Sequence, residues 1–311
     1  MFDIKPASRV GINPLIVAYS ESGCGKTYSS LLLARGMAGP TGRIVVADSE
    51  SGRASLYADV LAGGFETFGI TDPFSPARYV EAVDAIESSG AAIGIIDSGS
   101  HEHEGPGGVL DMAMENEARS GRAGLHNWKV PKFEHAKYVQ RLLRIKIPII
   151  ICLRAKYKTR QGKDEKGKTV IIRDDYVSPI AAEDFIFEAT AHFQINPNHS
   201  IFLSKCSHPS LRDCFPKDNT TPITEAHGRA IAAWCRAAGN PNLTPSAGKS
   251  ETHIAALKKE LWKITSAKHG GDKNAFRQYL VDDCGLAFDR LPEELTETEL
   301  EALTNKAKEK L

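Results

Sequence analysis

The chain alternates between short, wholly apolar runs and longer stretches with helical spacing. Leu15 to Ala18, Arg43 to Ala47, Ile93 to Ile96 and Ile147 to Leu153 lack the alternating polar positions of a half-exposed strand. Continuous runs of this kind predict strands buried on both faces, as in a parallel sheet covered by helices. Helices are expected between them, over Ser29 to Gly36, 76–88 and about 132–145. In the second of these, Tyr79, Val80, Val83 and Ile86 fall along one face.

Beyond the fourth run the texture changes. Lys156 to Arg173 is basic and glycine-punctuated, then β-branched at Val170 to Ile172, which predicts a hairpin or mobile loop. Phe185 to Ile195 and Ser200 to Lys205 read as two more strands, adding antiparallel members at the far edge of the sheet. Residues 223–238 read as an alanine-rich helix, and Gly239 to Gly248 as a linker. After it, Leu257, Leu261 and Ile264 mark one amphipathic helix, and Phe276, Tyr279 and Leu280 a second. Thr296 begins a third, with Thr-x-x-Glu at 296–299 as a capping box. The expected architecture is α/β: a mainly parallel core over 1–238, a linker over 239–249 and a small helical domain over 250–311.

Composition narrows the class only a little. Hydrophobic content of 41% and charged content of 25% are ordinary for a soluble globular protein. A formal net charge of zero requires any nucleic-acid contact to come from a local patch. No apolar run approaches the ~20 residues that cross a bilayer, and no secretory leader pattern opens the sequence. Six cysteines without a Cys-x-x-Cys pair fit reduced thiols, so a cytoplasmic location is expected.

The chemistry is concentrated after the first strand. Residues 20–27 read Ser-Glu-Ser-Gly-Cys-Gly-Lys-Thr, against the phosphate-loop pattern G-x-x-x-x-G-K-[ST]. The expected nucleotide-binding set is Ser20, Glu21, Ser22, Gly23, Cys24, Gly25, Lys26, Thr27 and Tyr28. Gly23 and Gly25 let backbone N–H groups turn toward phosphate oxygens, at the positive end of the following helix. Lys26 reaches the β- and γ-phosphates of ATP, and Thr27 offers its hydroxyl to Mg²⁺. Ser20 replaces the first glycine and departs from the pattern. The third strand ends in Asp97, placed to hold Mg²⁺ through water.

Many AAA+ ATPases carry a glutamate directly after that aspartate; here Ser98 follows, so the water-activating base must lie elsewhere. The second strand ends Ala47-Asp48-Ser49-Glu50. This resembles the RecA recombinase family, in which a glutamate just past the strand beside the phosphate loop activates water. The resemblance makes Glu50 the catalytic base, with Lys26 and Mg²⁺ absorbing developing charge; Asp48 is the runner-up for the base, read first as a structural acid. The closest resemblance is to phage-encoded RecA-core ATPases, including the Sak-type single-strand annealing proteins, over about residues 10–238. It implies ATP hydrolysis coupled to single-stranded DNA in recombination, annealing or replication, and a homo-oligomeric ring or filament.

The family's polar γ-phosphate sensor after the fourth strand is absent, and Arg154 stands in its place. Arg154, Lys156, Lys158, Arg160, Lys163, Lys166, Lys168 and Arg173 form a basic strip facing only Asp164 and Glu165. The strip suits a DNA backbone or the nucleotide of a neighbouring subunit. Residues 101–128 correspond to the family's other mobile loop, with Arg119, Arg122, His126, Trp128 and Lys129 as a stacking and charge set. The C-terminal helices resemble appendages of phage recombination proteins, a place for a phage or host recombination or replication partner.

Weaker signals are His101-Glu102-His103-Glu104, read as a polar loop, and Cys206, His208 and Cys214, whose spacing is not a recurrent zinc pattern. Three rivals remain open. A P-loop phosphotransferase needs an arginine-bearing lid, an AAA+ motor needs a helical lid, and a nucleotide-dependent scaffold needs little hydrolysis.

Overall fold

The computed structural model describes residues 12–163, 168–237, 250–266, 270–284, 286 and 297–309. The described residues fall into two compact units, divided between Pro245 and Ser246.

The first unit is built on one sheet with strand order β3-β2-β4-β5-β1-β7-β8, with β6 pairing only β5. The strands are β1 (Leu15–Ser20), β2 (Ile44–Asp48), β3 (Glu66–Gly69), β4 (Ile93–Asp97), β5 (Ile149–Lys163), β6 (Thr169–Pro179), β7 (Ala191–Ile195) and β8 (Ile201–Cys206). Pairings from β3 across to β7 are parallel, while β5–β6 and β7–β8 are antiparallel. This is the expected α/β architecture: a mainly parallel central sheet with antiparallel extensions.

The apolar runs are continuous because both faces of each strand are covered. Ile16, Ala18, Ile44, Val46, Ile93, Ile95, Ile150 and Cys152 enter one core. Their neighbours Leu15, Val17, Val45, Ala47, Ile96, Ile149, Ile151 and Leu153 enter a second core on the other face. The first core is roofed by α1 (Lys26–Ala38) and α8 (Glu225–Arg236), with Leu211 of the short α7 (Pro209–Arg212) beside them, and the second by α2 (Pro76–Ser88) and α5 (Lys129–Leu143). Ser75 caps α2, its side chain accepting the Arg78 N–H, with Pro76 at the first position. Helices α1 and α8 touch through backbone, because a Cβ on Gly228 would lie 2.2 Å from the Leu33 carbonyl oxygen.

Two expectations need correction. Residues 101–128 are not a loop: α3 (Ser100–Glu104), α4 (Val109–Ser120) and a 3₁₀ turn (Leu125–Trp128) fill them. The stretch 185–195 divides into a helical turn, α6 (Phe185–Glu188), and β7; Phe185 turns into the second core instead of continuing a strand. Of the two readings of Lys156 to Arg173, the hairpin holds: the outer half of β5 pairs antiparallel with β6 as a two-stranded ribbon, its register shifting between Tyr157 and Thr159.

The second unit contains helices Ser250–Ile264, Lys273–Asp282 and Glu297–Glu309. Leu257 and Leu261 meet Phe276, Tyr279, Leu280, Leu300 and Leu303 in a core of their own. The expected linker and the Thr296 cap lie outside the described residues. Among the described residues no helix is long and apolar enough to cross a membrane.

A candidate nucleotide site at the carboxyl edge of the sheet

Parallel strands bring their carboxyl ends to one edge, where open α/β sheets hold ligands. The register aligns Ser20 with Arg154, and Asp97 with both Cys152 and Asp48. Residues scattered over more than a hundred positions thereby reach one edge, beside the turn from β1 into α1.

In that turn Gly23 and Gly25 take φ of 84° and 88°, left-handed conformations that favour glycine. Helix α1 opens at Lys26 with no side-chain cap, so its first N–H groups stay available to an anion. Ser20 ends β1 with a negative φ, buried, and its Oγ donates to the Glu21 carbonyl at 2.8 Å. Serine is therefore accommodated there without backbone strain. The Lys26 ammonium donates to the Ser20 and Glu21 carbonyls at 3.2 and 3.0 Å, folded over the mouth of the loop. The Cys24 side chain is packed into the first core, Glu21 is half-buried and Ser22 is exposed. Tyr28 is exposed and tilts against Tyr57, ring centroids 6.2 Å apart.

Thr27 Oγ1 donates to Asp97 Oδ2 at 2.5 Å, joining the head of α1 to the end of β4. Asp97 is buried, and that burial is the main reason its pKa is raised to about 6. The Thr27 hydrogen bond and the Lys26 charge oppose the rise; Glu50 and Asp48 add to it. A hydroxyl and a carboxylate in such a place fit a small, hard divalent cation that keeps most of its waters. The sign of the linkage follows from the raised value. Protonated Asp97 contributes stability below its unfolded pKa, near 4, and that contribution is lost as pH rises through about 6. Mg²⁺ is therefore expected to raise the melting temperature at pH 7.5 and to lose most of that effect at pH 5. Equal Mg²⁺ shifts at both pH values would remove Asp97 as the metal-side carboxylate.

Asp48 is committed elsewhere. Its two carboxylate oxygens accept the Glu50 and Ala54 N–H groups at 2.6 and 2.8 Å, which fixes the turn that presents Glu50. Glu50 stands between two guanidinium groups, Arg53 at 3.6 Å and Arg154 at 3.9 Å. Arg154 also donates to His101 Nε2 at 3.4 Å. Arginine has no acceptor, so His101 Nδ1 carries the proton and donates to Ser49 Oγ at 2.8 Å. Ser49 in turn accepts the Ser98 N–H and donates to the Ser98 carbonyl, each at 2.9 Å. Burial, then the Arg154 charge, lowers the His101 pKa, consistent with a neutral ring in this chain of contacts. Behind it, Glu102 and His135 form a buried pair at 2.9 Å.

The basic strip meets more acid than its own sequence supplies. Lys156 pairs with Glu104 at 3.3 Å, Lys158 with Glu183 at 3.4 Å and Arg160 with Asp174 at 3.6 Å. The Arg173 guanidinium lies 3.6 Å from the centre of the Tyr157 ring. Lys163 and Lys168 are exposed at the outer end of the ribbon, and Lys166, Asp164 and Glu165 lie outside the described residues. Arg119, Arg122, His126 and Lys129 are exposed on the helical segment beside α5. His208 Nδ1 accepts from the Ser210 backbone, and the Cys206 and Cys214 thiols contact carbonyl oxygens.

Two residues of the site carry no signal in the sequence. Ser49 links β2 to Ser98 only once the strands are in register. His199, 175 positions from Cys24, places its ring Nδ1 3.0 Å from the Cys24 carbonyl oxygen.

No family model matches this chain, and no curated protein matches it. Among solved structures it is similar to a type III secretion ATPase of pathogenic bacteria, at 13% identity and a TM-score of 0.36, over 96% of this chain and 80% of the other. The ATPase EscN of enteropathogenic E. coli, in complex with its stalk EscO, gives 14% and 0.35, over 95% and 67%. The ATP synthase subunit NeqB of Nanoarcheaum equitans gives 11% and 0.36, over 98% and 78%. The chemistry of the site therefore rests on its own residues.

Proposed function

We propose that this chain is a magnesium-dependent ATPase that couples hydrolysis to single-stranded DNA, in the manner of the phage-encoded RecA-core proteins of recombination, annealing or replication. The observation that carries the ATPase reading is the Thr27–Asp97 contact at 2.5 Å beside Lys26 and the glycine turn. Residues 70 positions apart converge where a phosphate-bound cation needs them.

In this reading the N–H groups of the turn and the Lys26 ammonium hold the β- and γ-phosphates. Thr27 and Asp97 orient the cation, which supplies charge neutralisation on the transferring phosphoryl group. Glu50 orients the attacking water. Its pairs with Arg53 and Arg154 are partly solvated, and such pairs contribute only about 0–1 kcal/mol, so nucleotide can displace them. Arg154 then turns from Glu50 to the γ-phosphate, replacing the polar sensor of the family.

The same weakness of exposed ion pairs supports the DNA reading. Lys156, Lys158 and Arg160 exchange their acidic partners for phosphate at little cost, while Lys163 and Lys168 extend the track. Steady-state ATP hydrolysis with and without single-stranded DNA tests both parts. Stimulation is expected, falling with added salt and in a Lys158→Glu/Lys163→Glu variant. Turnover that ignores DNA would leave the nucleotide site and remove DNA as its stimulus. The double engagement of Glu50 favours one second reading, a nucleotide-bound scaffold in a ring or filament; measurable turnover decides against it.

A further inference from the structure

The turn between β7 and β8 opens beside the phosphate loop. β7 runs parallel to β1 on the side away from β5, so its carboxyl end and residues 196–200 reach the same sheet edge. His199 sits in this turn at φ 66°, its N–H donating to the Asn196 carbonyl at 2.8 Å. A carbonyl oxygen can only accept, so the 3.0 Å contact to Cys24 has His199 Nδ1–H as donor. The fit is close: a Cβ on Gly25 would lie 3.1 Å from that nitrogen.

The turn does not need this ring for its own integrity. Asn196 Nδ2 donates to Ser200 Oγ at 2.9 Å, and the Ser200 N–H and hydroxyl both donate to Asn198 Oδ1. The His199 ring takes no part in that network; the residue joins the turn through its backbone N–H alone. Its ring reaches out of the turn to the loop instead.

The contact has a direct consequence for anion binding. The Cys24 carbonyl and the Gly25 N–H belong to one planar trans peptide and point in opposite directions. Drawing the carbonyl toward the β7–β8 turn directs the Gly25 N–H to the opposite side, away from that turn. A flipped peptide would present oxygen to a phosphate in place of a donor. Glycine at positions 23 and 25 permits the required dihedrals but does not select between the two orientations. We propose that His199 is a positioning residue that locks the Cys24–Gly25 peptide with its N–H toward the β-phosphate of a nucleoside di- or triphosphate. The inference rests on residues 20–28 being the nucleotide site.

Fluorescent ADP titrated in Mg²⁺ buffer into the full chain and three variants tests it. His199→Gly keeps the positive φ and removes the ring. His199→Asn tolerates that φ and places an amide nitrogen where Nδ1 stands; His199→Gln carries its donor one bond further out. Loss of the bond in His199→Gly and His199→Gln is expected to raise the Kd about tenfold, the effect of about one net hydrogen bond. His199→Asn is expected to stay near wild type, and ligand-free melting temperatures to remain close together. Wild-type affinity in His199→Gly overturns the proposal, as does an Asn variant that binds as weakly as the Gly variant while melting normally. If the wild type and Lys26→Ala bind ADP equally, the nucleotide site itself is overturned, which is a separate failure.

Discussion

Replacing Lys26 with alanine is expected to reduce ATP turnover at least a hundredfold and to abolish the thermal shift produced by Mg-ATP. Removing one preorganised group from a developing charge costs about 3–4 kcal/mol in a water-poor site. Lys26 is well placed for that role, because among the described residues its ammonium, lying over the loop, donates to the carbonyls of Ser20 and Glu21 and to the Ser20 hydroxyl. Those contacts join neighbours six residues apart or fewer, so the ligand-free variant should melt near the wild type. A coupled assay for phosphate release and a melt with and without nucleotide check both statements. Wild-type turnover in Lys26→Ala would refute the phosphate-loop assignment.

The second large effect is expected at Glu50. Glu50→Gln retains the shape of the side chain and its place beside Arg53 and Arg154, but it cannot take a proton from water. Nucleotide should therefore still bind, while kcat falls about 10²–10⁴-fold, the usual contribution of a general base. Single-turnover hydrolysis alongside equilibrium binding separates the two. Asp48 cannot readily replace Glu50, because both its oxygens already accept backbone N–H groups. Normal turnover in the glutamine variant would therefore point to a base outside β2, such as His101, whose ring contacts Arg154 and Ser49.

What the sequence makes legible here follows from local physics. The buried strands are readable because both cores demand apolar side chains at every position, and the phosphate loop because its glycines and Lys26 act through adjacent backbone. β3 escapes notice because Glu66–Gly69 is largely exposed and lacks a β-branched run. Helix α4 escapes because only Val109 and Ala113 of its residues are buried, leaving a faint apolar stripe. Phe185 to Glu188 is apolar enough to suit either state, and tertiary packing of Phe185 selects the helical turn. The Arg154–His101–Ser49–Ser98 chain and the His199 contact depend on strand register and on a distant turn. No spacing within the sequence announces them.

β5 has two occupations in one unbroken element. Its inner half walls the nucleotide site, and its outer half is the spine of the ribbon. From Arg154 to Lys163 it extends roughly 30 Å at ~3.3 Å per residue. It is a lever with its fulcrum at the sheet edge: a tilt of about 10° at Arg154 would swing the far end by about 5 Å at that length. The proposed exchange of Glu50 for a phosphate at Arg154 would act at the short arm. On the proposed reading, whatever the ribbon touches would feel the nucleotide as a displacement, without any residue of the ribbon having to contact it.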